Sequence, residues 1–158
     1  MHILVTGGAG YLGSILVPML LKKGHSVTVV DSFEHQVPSL SAVCSHNKLE
    51  ILREDVFFIS PENVYKADAI IPLAAIVGAP ACAKDPHRAW GTNTQQINRI
   101  LSFMSPSQII LFPNTNSGYG TTAPGVVCTE DTPLNPISVY GQSKQESEKL
   151  VLNHPQGI

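Results

Sequence analysis

This chain of 158 residues has no long apolar run. Its densest stretches, Ile15-Leu16-Val17 and Met19-Leu20-Leu21 on either side of Pro18, fall far short of the roughly 20 apolar residues that a membrane-spanning helix needs. No basic segment precedes the first apolar run, as a secretion leader would require. The expectation is a cytoplasmic protein with no membrane partner. Cysteine is scarce: Cys44, Cys82 and Cys128 are odd in number, far apart and free of any C-x-x-C spacing. Neither a disulfide framework nor a zinc site has support from them, and reduced structural thiols are expected. The six histidines show no ligand spacing either, so no metal is expected. An excess of positive charge is also missing. Ten Lys and Arg against twelve Asp and Glu give a formal charge of −2, with no basic bank to attract nucleic acid. Gly- or Ser-rich linkers and internal repeats are absent, so nothing in the pattern divides the chain.

What is present describes one globular unit, since 43% hydrophobic and 14% charged residues suffice to bury a core. Ile3-Leu4-Val5 reads as a strand, Thr6 to Gly13 as a glycine turn, Tyr11 to Lys23 as a helix stopped by Gly24, and Val27 to Asp31 as a second strand. Gly8-Ala9-Gly10-Tyr11-Leu12-Gly13 fits G-x-G-x-x-G, and Asp31 follows Gly10 by 21 residues, the spacing of a dinucleotide-binding turn. A backbone that approaches a pyrophosphate closely and turns into a helix has no room for Cβ atoms at the contact points, which suits Gly7, Gly10 and Gly13. Free N–H groups at the helix start would face the phosphates. Asp31 can accept hydrogen bonds from ribose hydroxyls and would repel a 2′-phosphate, which favours NAD over NADP. Within the helix, Leu12, Ile15, Leu16, Met19 and Leu20 form the expected buried stripe. Pro18 is expected to kink it or to remove one hydrogen bond.

The rest of the chain continues the alternation. Ser32 to Asn47 reads as a crossover helix beginning near Pro38-Ser39, and Leu49 to Leu52 as a third strand followed by Asp55-Val56. Ser60 caps a short helix through Tyr65, Ala69 to Ala75 is a fourth strand, Lys84 to Met104 a long helix entered through Asp85-Pro86, and Gln108 to Phe112 a fifth strand. Strands alternating with helices define an α/β fold, a doubly wound parallel sheet of Rossmann-like form with ligands beyond the carboxyl ends of its strands. On that edge fall Gly7 to Gly13, Asp31, Asp55, Leu73 to Ala75 and Asn114 to Gly120.

Past the fifth strand, a Pro-rich loop leads to Ser138-Val139-Tyr140-Gly141-Gln142-Ser143-Lys144 at the start of a charged helix. Tyr140 and Lys144 are one helical turn apart, so an ammonium can sit near a phenol and lower its pKa toward proton exchange with a substrate hydroxyl. Thr115 is placed to hold the substrate oxygen.

Taken in register, T-G-G-x-G-Y-L-G at 6–13, Asp31, Asp55-Val56, Leu73-Ala74-Ala75, Asn93, Thr115 and Tyr140-x-x-x-Lys144 resemble the extended short-chain dehydrogenase/reductases. The likeness covers the whole chain and is strongest to their NAD-dependent sugar epimerase and dehydratase branch. The resemblance implies that Tyr11 and Leu12 line the pyrophosphate, Asp31 holds the ribose, Asp55 and Val56 flank adenine, and Leu73, Ala74 and Ala75 line the cofactor groove. It further implies that Asn93 supports the site and that Lys144 binds the nicotinamide ribose while tuning Tyr140, the general base, with Thr115 assisting. NAD is the implied cofactor, a UDP-sugar the implied substrate, and a homodimer the implied state of the intact protein. The separation of 25 residues from Thr115 to Tyr140 is similar to that of UDP-galactose 4-epimerases, which oxidise a sugar hydroxyl to a ketone and reduce it from the opposite face. The family's dehydratases carry acidic residues after the catalytic Thr, and Asn116 and Ser117 stand there instead, against dehydration. Family members continue through further strands into a substrate-binding region. Residues 1–158 are therefore expected to be the NAD-binding domain alone, with Gly157-Ile158 approaching a sixth strand and no epimerisation by the chain in isolation. An NAD-dependent reductase or dehydrogenase of the same branch and a non-catalytic NAD-binding fragment are the competing expectations.

Overall fold

A computed structural model describes residues 1–155, so the expected approach to a sixth strand lies outside the described residues. Five strands, β1 (His2–Thr6), β2 (Ser26–Asp31), β3 (Leu49–Arg53), β4 (Ala69–Pro72) and β5 (Ile109–Ile110), form one parallel sheet in the order β3-β2-β1-β4-β5. The helices are α1 (Gly13–Lys22), α2 (Pro61–Tyr65), α3 (Ala79–Lys84), α4 (Pro86–Trp90), α5 (Gln96–Phe103) and α6 (Val139–Leu152). Among the described residues no helix is long and apolar enough to cross a membrane.

Strand alternation divides the core into two layers. Leu4 of β1 belongs to one, with Val30, Ile70 and Ile110 of the sheet and with Val64, Ile97, Ile100 and Val151 from α2, α5 and α6. Its neighbours Ile3 and Val5 belong to the other, with Val27 and Val29 of β2, Val17 and Leu21 of α1, and Leu40. The register pairs Thr6 with both Val30 and Pro72, and Asp31 with Arg53, so four strands end together at one edge.

Several expectations require correction. Residues 32–48 contain no helix. Their backbone bonds are isolated turns, mostly to the carbonyl three residues back, as in Ser41 to Pro38, Val43 to Leu40 and His46 to Val43. Ser39, Ser41, Ser45 and Asn47 are poor helix formers, Ser39 Oγ donates to the Ala9 carbonyl at 2.6 Å, and only Leu40, with Val43 beside it, reaches the core. In α1 the buried face is Gly13, Val17 and Leu21, while Leu12, Ile15 and Met19 are exposed, because the helix is apolar nearly all round and its stripe was ambiguous. It passes through Pro18, leaving the Ser14 carbonyl without its helical donor. The expected long helix at 84–104 is broken into α4, a π-helical turn at Gly91–Gln95, and α5. Pro86 opens α4, where Asp85 caps the Arg88 N–H at 2.9 Å.

Candidate active site

The glycine turn is shaped by contacts on three sides. Gly7 has φ +67°, donates to the Val30 carbonyl at 2.8 Å, and lies so close to the end of β4 that a Cβ would stand 2.4 Å from the Ala74 nitrogen. A Cβ on Gly13 would meet the Gly8 carbonyl oxygen at 2.2 Å. Gly10 differs: its Cβ would touch only the Gly7 oxygen, at 3.1 Å. The protein's own packing therefore accounts for Gly7 and Gly13, whereas Gly10 keeps open a space on the groove side. No side chain caps the start of α1 and no acid sits in its first turn; the Ser14 and Ile15 N–H groups bond the Gly10 and Leu12 carbonyls, so an anion would be met by the N–H groups just before them, from Tyr11 to Gly13, where Tyr11 and Leu12 stand exposed.

Asp31, at the end of β2, joins the turn to the following loop. One carboxylate oxygen accepts from the Ala9 N–H at 2.9 Å, the other from the Phe33 N–H at 2.8 Å. A carboxylate has about four acceptor positions, so two remain, the number that a ribose diol would use. After β3, Asp55 caps a 3₁₀ turn by accepting from the Phe57 N–H at 2.9 Å, with Val56 buried beneath it. Above this end of the edge Arg88 makes a bidentate ion pair with Glu34. The guanidinium, first by hydrogen bonding and then by its charge, holds the Glu34 carboxyl below the usual carboxylate range.

Beyond β4, the Leu73 N–H reaches the Thr6 carbonyl at 2.9 Å, and the Ala74 carbonyl accepts from Gln96 at 2.6 Å, which fixes Leu73 to Ala75 as a floor. Asn93 occupies the π turn, a feature frequent at functional sites. Its Oδ1 accepts from the Ile76 N–H at 2.8 Å, and its Nδ2 donates to the Ile76 carbonyl and to Ser143 Oγ, each at 3.1 Å. Asn93 thereby ties the segment after β4 to α6. The Ser147 hydroxyl, 2.8 Å from the Asn93 carbonyl, and the Thr94 hydroxyl, donating to the Ser143 carbonyl at 3.0 Å, complete a buried polar knot.

Ser138 caps α6 by accepting from the Gly141 N–H at 3.1 Å, and the first turns carry Tyr140 and Lys144 to the same edge. Thr115 caps the 3₁₀ turn after β5, accepting from the Ser117 N–H and donating to Ser117 Oγ, each at 3.2 Å, and lies near enough to Tyr140 to act on its phenol. The electrostatics differ from those expected, for Lys144 is not among the groups that shift the Tyr140 phenol. Lys144 is only 5% exposed; its Nζ donates to the Pro113 carbonyl at 2.6 Å and sits 3.8 Å from the centre of the Phe112 ring. Its stem carries the charge to the segment just after β5. Burial lowers its pKa to about 8, with Glu148 opposing. Tyr140 is shifted above the ordinary tyrosine value rather than below it, chiefly by burial, with the Thr115 hydroxyl opposing and Cys82 adding to the rise. Cys82 is itself buried, donates to the Ile76 carbonyl at 3.2 Å, and has its thiol pushed up by burial.

Gln96, Ser143, Ser147, Phe112 and Arg88 escaped the sequence reasoning. Ser143, Ser147 and Val151 recur every four residues on one face of α6, a signal that was legible; the others depend on contacts between distant segments.

A family model described as the NAD dependent epimerase/dehydratase family matches residues 3–157. The chain belongs to that family. Among other members, the UDP-glucose 4-epimerase of Lactobacillus helveticus is 32% identical over 96% of this chain and 46% of its own length. That of Streptococcus mutans is 34% identical over 96% of this chain and 46% of its own length. The crystal structure of UDP-glucuronic acid 4-epimerase from Bacillus cereus, in complex with UDP-glucuronic acid and NAD, superposes with a TM-score of 0.87 at 26% identity, covering 98% of this chain and 52% of that one. The chain thus spans about half the length of the curated relatives it matches. The Rossmann-like parallel sheet expected from the alternation of strands and helices is the fold observed.

Proposed function

We propose that the protein carrying this chain is an NAD-dependent UDP-sugar 4-epimerase, and that residues 1–158 are its cofactor-binding and proton-transfer part. The Thr115 hydroxyl near the Tyr140 phenol, with the buried Lys144 one turn further along α6, carries the proposal. The names of the similar proteins, UDP-sugar 4-epimerases, support the substrate class and the carbon.

The residues fit NAD. Gly10 leaves room for a pyrophosphate where a Cβ would intrude, the uncapped start of α1 offers N–H groups to it, and Asp31 keeps two acceptor positions for a ribose diol. Asp55 and Val56 would flank the adenine, Leu73 to Ala75 the middle of the cofactor, and Lys144 the second ribose. When bound, NAD supplies reversible removal of the carbon-bound hydrogen. Thr115 orients the sugar hydroxyl toward Tyr140. Tyr140 takes the hydroxyl proton as the ketone forms and returns it on the way back. Burial alone keeps the phenol protonated, the form that donates to a ketone oxygen. Accepting a proton requires positive charge nearby, and Lys144 carries one a helical turn away. Asn93 positions both through Ser143. A homodimer in the cytoplasm completes the proposal, on the family resemblance.

The test is to incubate the protein with NAD and UDP-glucose, UDP-galactose or UDP-glucuronate and to follow the anomeric signals by proton NMR. Interconversion at constant absorbance in the NADH band is expected. Stoichiometric growth of that band would identify a dehydrogenase instead, and no conversion of any UDP-sugar would defeat the proposal.

A further inference from the structure

Lys144 is the most deeply buried cation described, and the groups that hold it are few. An ammonium withdrawn from water must be solvated by the protein or lose its proton. It has three N–H donors. One is used by the Pro113 carbonyl at 2.6 Å. A second side is closed by the Phe112 ring, whose centre lies 3.8 Å from Nζ, well inside the range over which an aromatic face attracts a cation. The remaining donor is available to the groove. Ionisable groups nearby do not substitute for these contacts. On α6 there are the neutral phenol of Tyr140 and Glu148, whose charge favours the ammonium but which forms no ion pair with it. On α3 there is the buried thiol of Cys82. Residues 109–118 contain no ionisable side chain, and Tyr119, which ends the turn after β5, donates its hydroxyl to the Thr129 carbonyl at 3.0 Å.

We propose that Phe112 is a positioning residue of the active site: its ring face, together with the Pro113 carbonyl, keeps Lys144 charged and aimed at the cofactor groove. Phe112 acts through Lys144. It is half-buried and packs against the core cluster that contains Ile110 and Val151, which supports the ring. The proposal rests on the epimerase assignment for what Lys144 does, but not for how Lys144 is held.

Two chemistries separate a cation partner from a mere apolar wall. Phenylalanines carrying increasing numbers of ring fluorines, placed at position 112, keep the shape of the side chain while withdrawing charge from its face. Phe112→Leu removes the face altogether, and Phe112→Tyr restores it. The readout is the titration of Lys144, followed by carbon and nitrogen NMR on selectively labelled lysine in the folded chain, with Lys144→Arg to assign the signal. From a midpoint of about 8, stepwise fluorination should lower the midpoint progressively, by about one pH unit in total. Leu should lower it similarly and Tyr should leave it in place. NAD affinity should weaken in the same order. A midpoint indifferent to fluorination, or one that climbs toward the free-lysine value in Phe112→Leu as water reaches the ammonium, would overturn the proposal. Failure of the epimerase assignment would show elsewhere, as no interconversion of any UDP-sugar by the unmodified protein, with the fluorine dependence intact.

Discussion

Replacing Lys144 by Met keeps much of the stem and removes the charge. In the folded chain, burial lowers the Lys144 pKa from 10.5 to about 8, a gap equivalent to roughly 3 kcal/mol. Below pH 8 folded and unfolded chains both hold the proton, and the folded chain bears the full cost of the buried charge. Between about pH 8 and 10.5 the unfolded chain keeps a proton that the folded chain releases, so stability rises with pH. Cys82 and Tyr140 act in the opposite sense. Burial raises both, the unfolded chain loses those protons first, and stability falls as pH climbs past their ordinary values. Subtracting Lys144→Met from the unmodified chain isolates the lysine. Met forfeits the hydrogen bond to Pro113, about 1 kcal/mol. The variant should therefore be more stable by roughly 2 kcal/mol at pH 7, and the advantage should vanish or reverse slightly by about pH 10. Urea unfolding followed by circular dichroism at several pH values measures this. A difference that stays constant from pH 7 to pH 10 would refute the buried-ammonium account, as would a variant less stable than its parent at pH 7.

The two glycines give opposite outcomes on Ala substitution. Gly7→Ala, forced against the Ala74 backbone at positive φ, should lower stability by about 2 kcal/mol or more, whereas Gly10→Ala should melt near the parent and yet lose NAD affinity by an order of magnitude; melting and calorimetry together decide it. Asp31→Ser should narrow the preference for NAD over NADP, since it removes a carboxylate from the position of a 2′-phosphate, and equal affinity of the unmodified chain for both would sink the idea. Tyr140→Phe should cut turnover of the active protein by roughly 10²-fold or more with NAD affinity nearly unchanged, because only proton transfer is lost.

Much of the fold was legible because its signals are local. The strand-turn-helix at the start, Ser60 and Asp85 as caps, and Ser138 opening α6 each follow from residue types a few positions apart. Errors arose where local signals were weak or competed. The Ser-rich crossover had one Pro-Ser start signal and too few apolar residues to fold as a helix on the sheet. The all-round apolarity of α1 concealed which stripe would be buried. The π turn at Gly91–Gln95 carries Asn93, which bonds both polar groups of Ile76, a contact invisible without the loop it meets. Thr115, Tyr140 and Lys144 were placed together by spacing and by resemblance. The direction of the Lys144 charge was not, since Phe112 reads in sequence simply as the end of an apolar strand, and only its crossing with α6 turns it into a partner for a cation.

The central claim, a sugar carbon oxidised and reduced in place with Tyr140 handling the hydroxyl proton, is tested most directly by the fate of one hydrogen. UDP-glucose deuterated at C4 is incubated with the protein and NAD in ordinary water, and the UDP-galactose formed is examined by NMR and mass spectrometry. Hydrogen removed to the cofactor and returned to the same carbon never meets solvent, so the product is expected to keep its deuterium at C4. Product with protium at C4 would mean that the carbon exchanges with water, and would contradict the account.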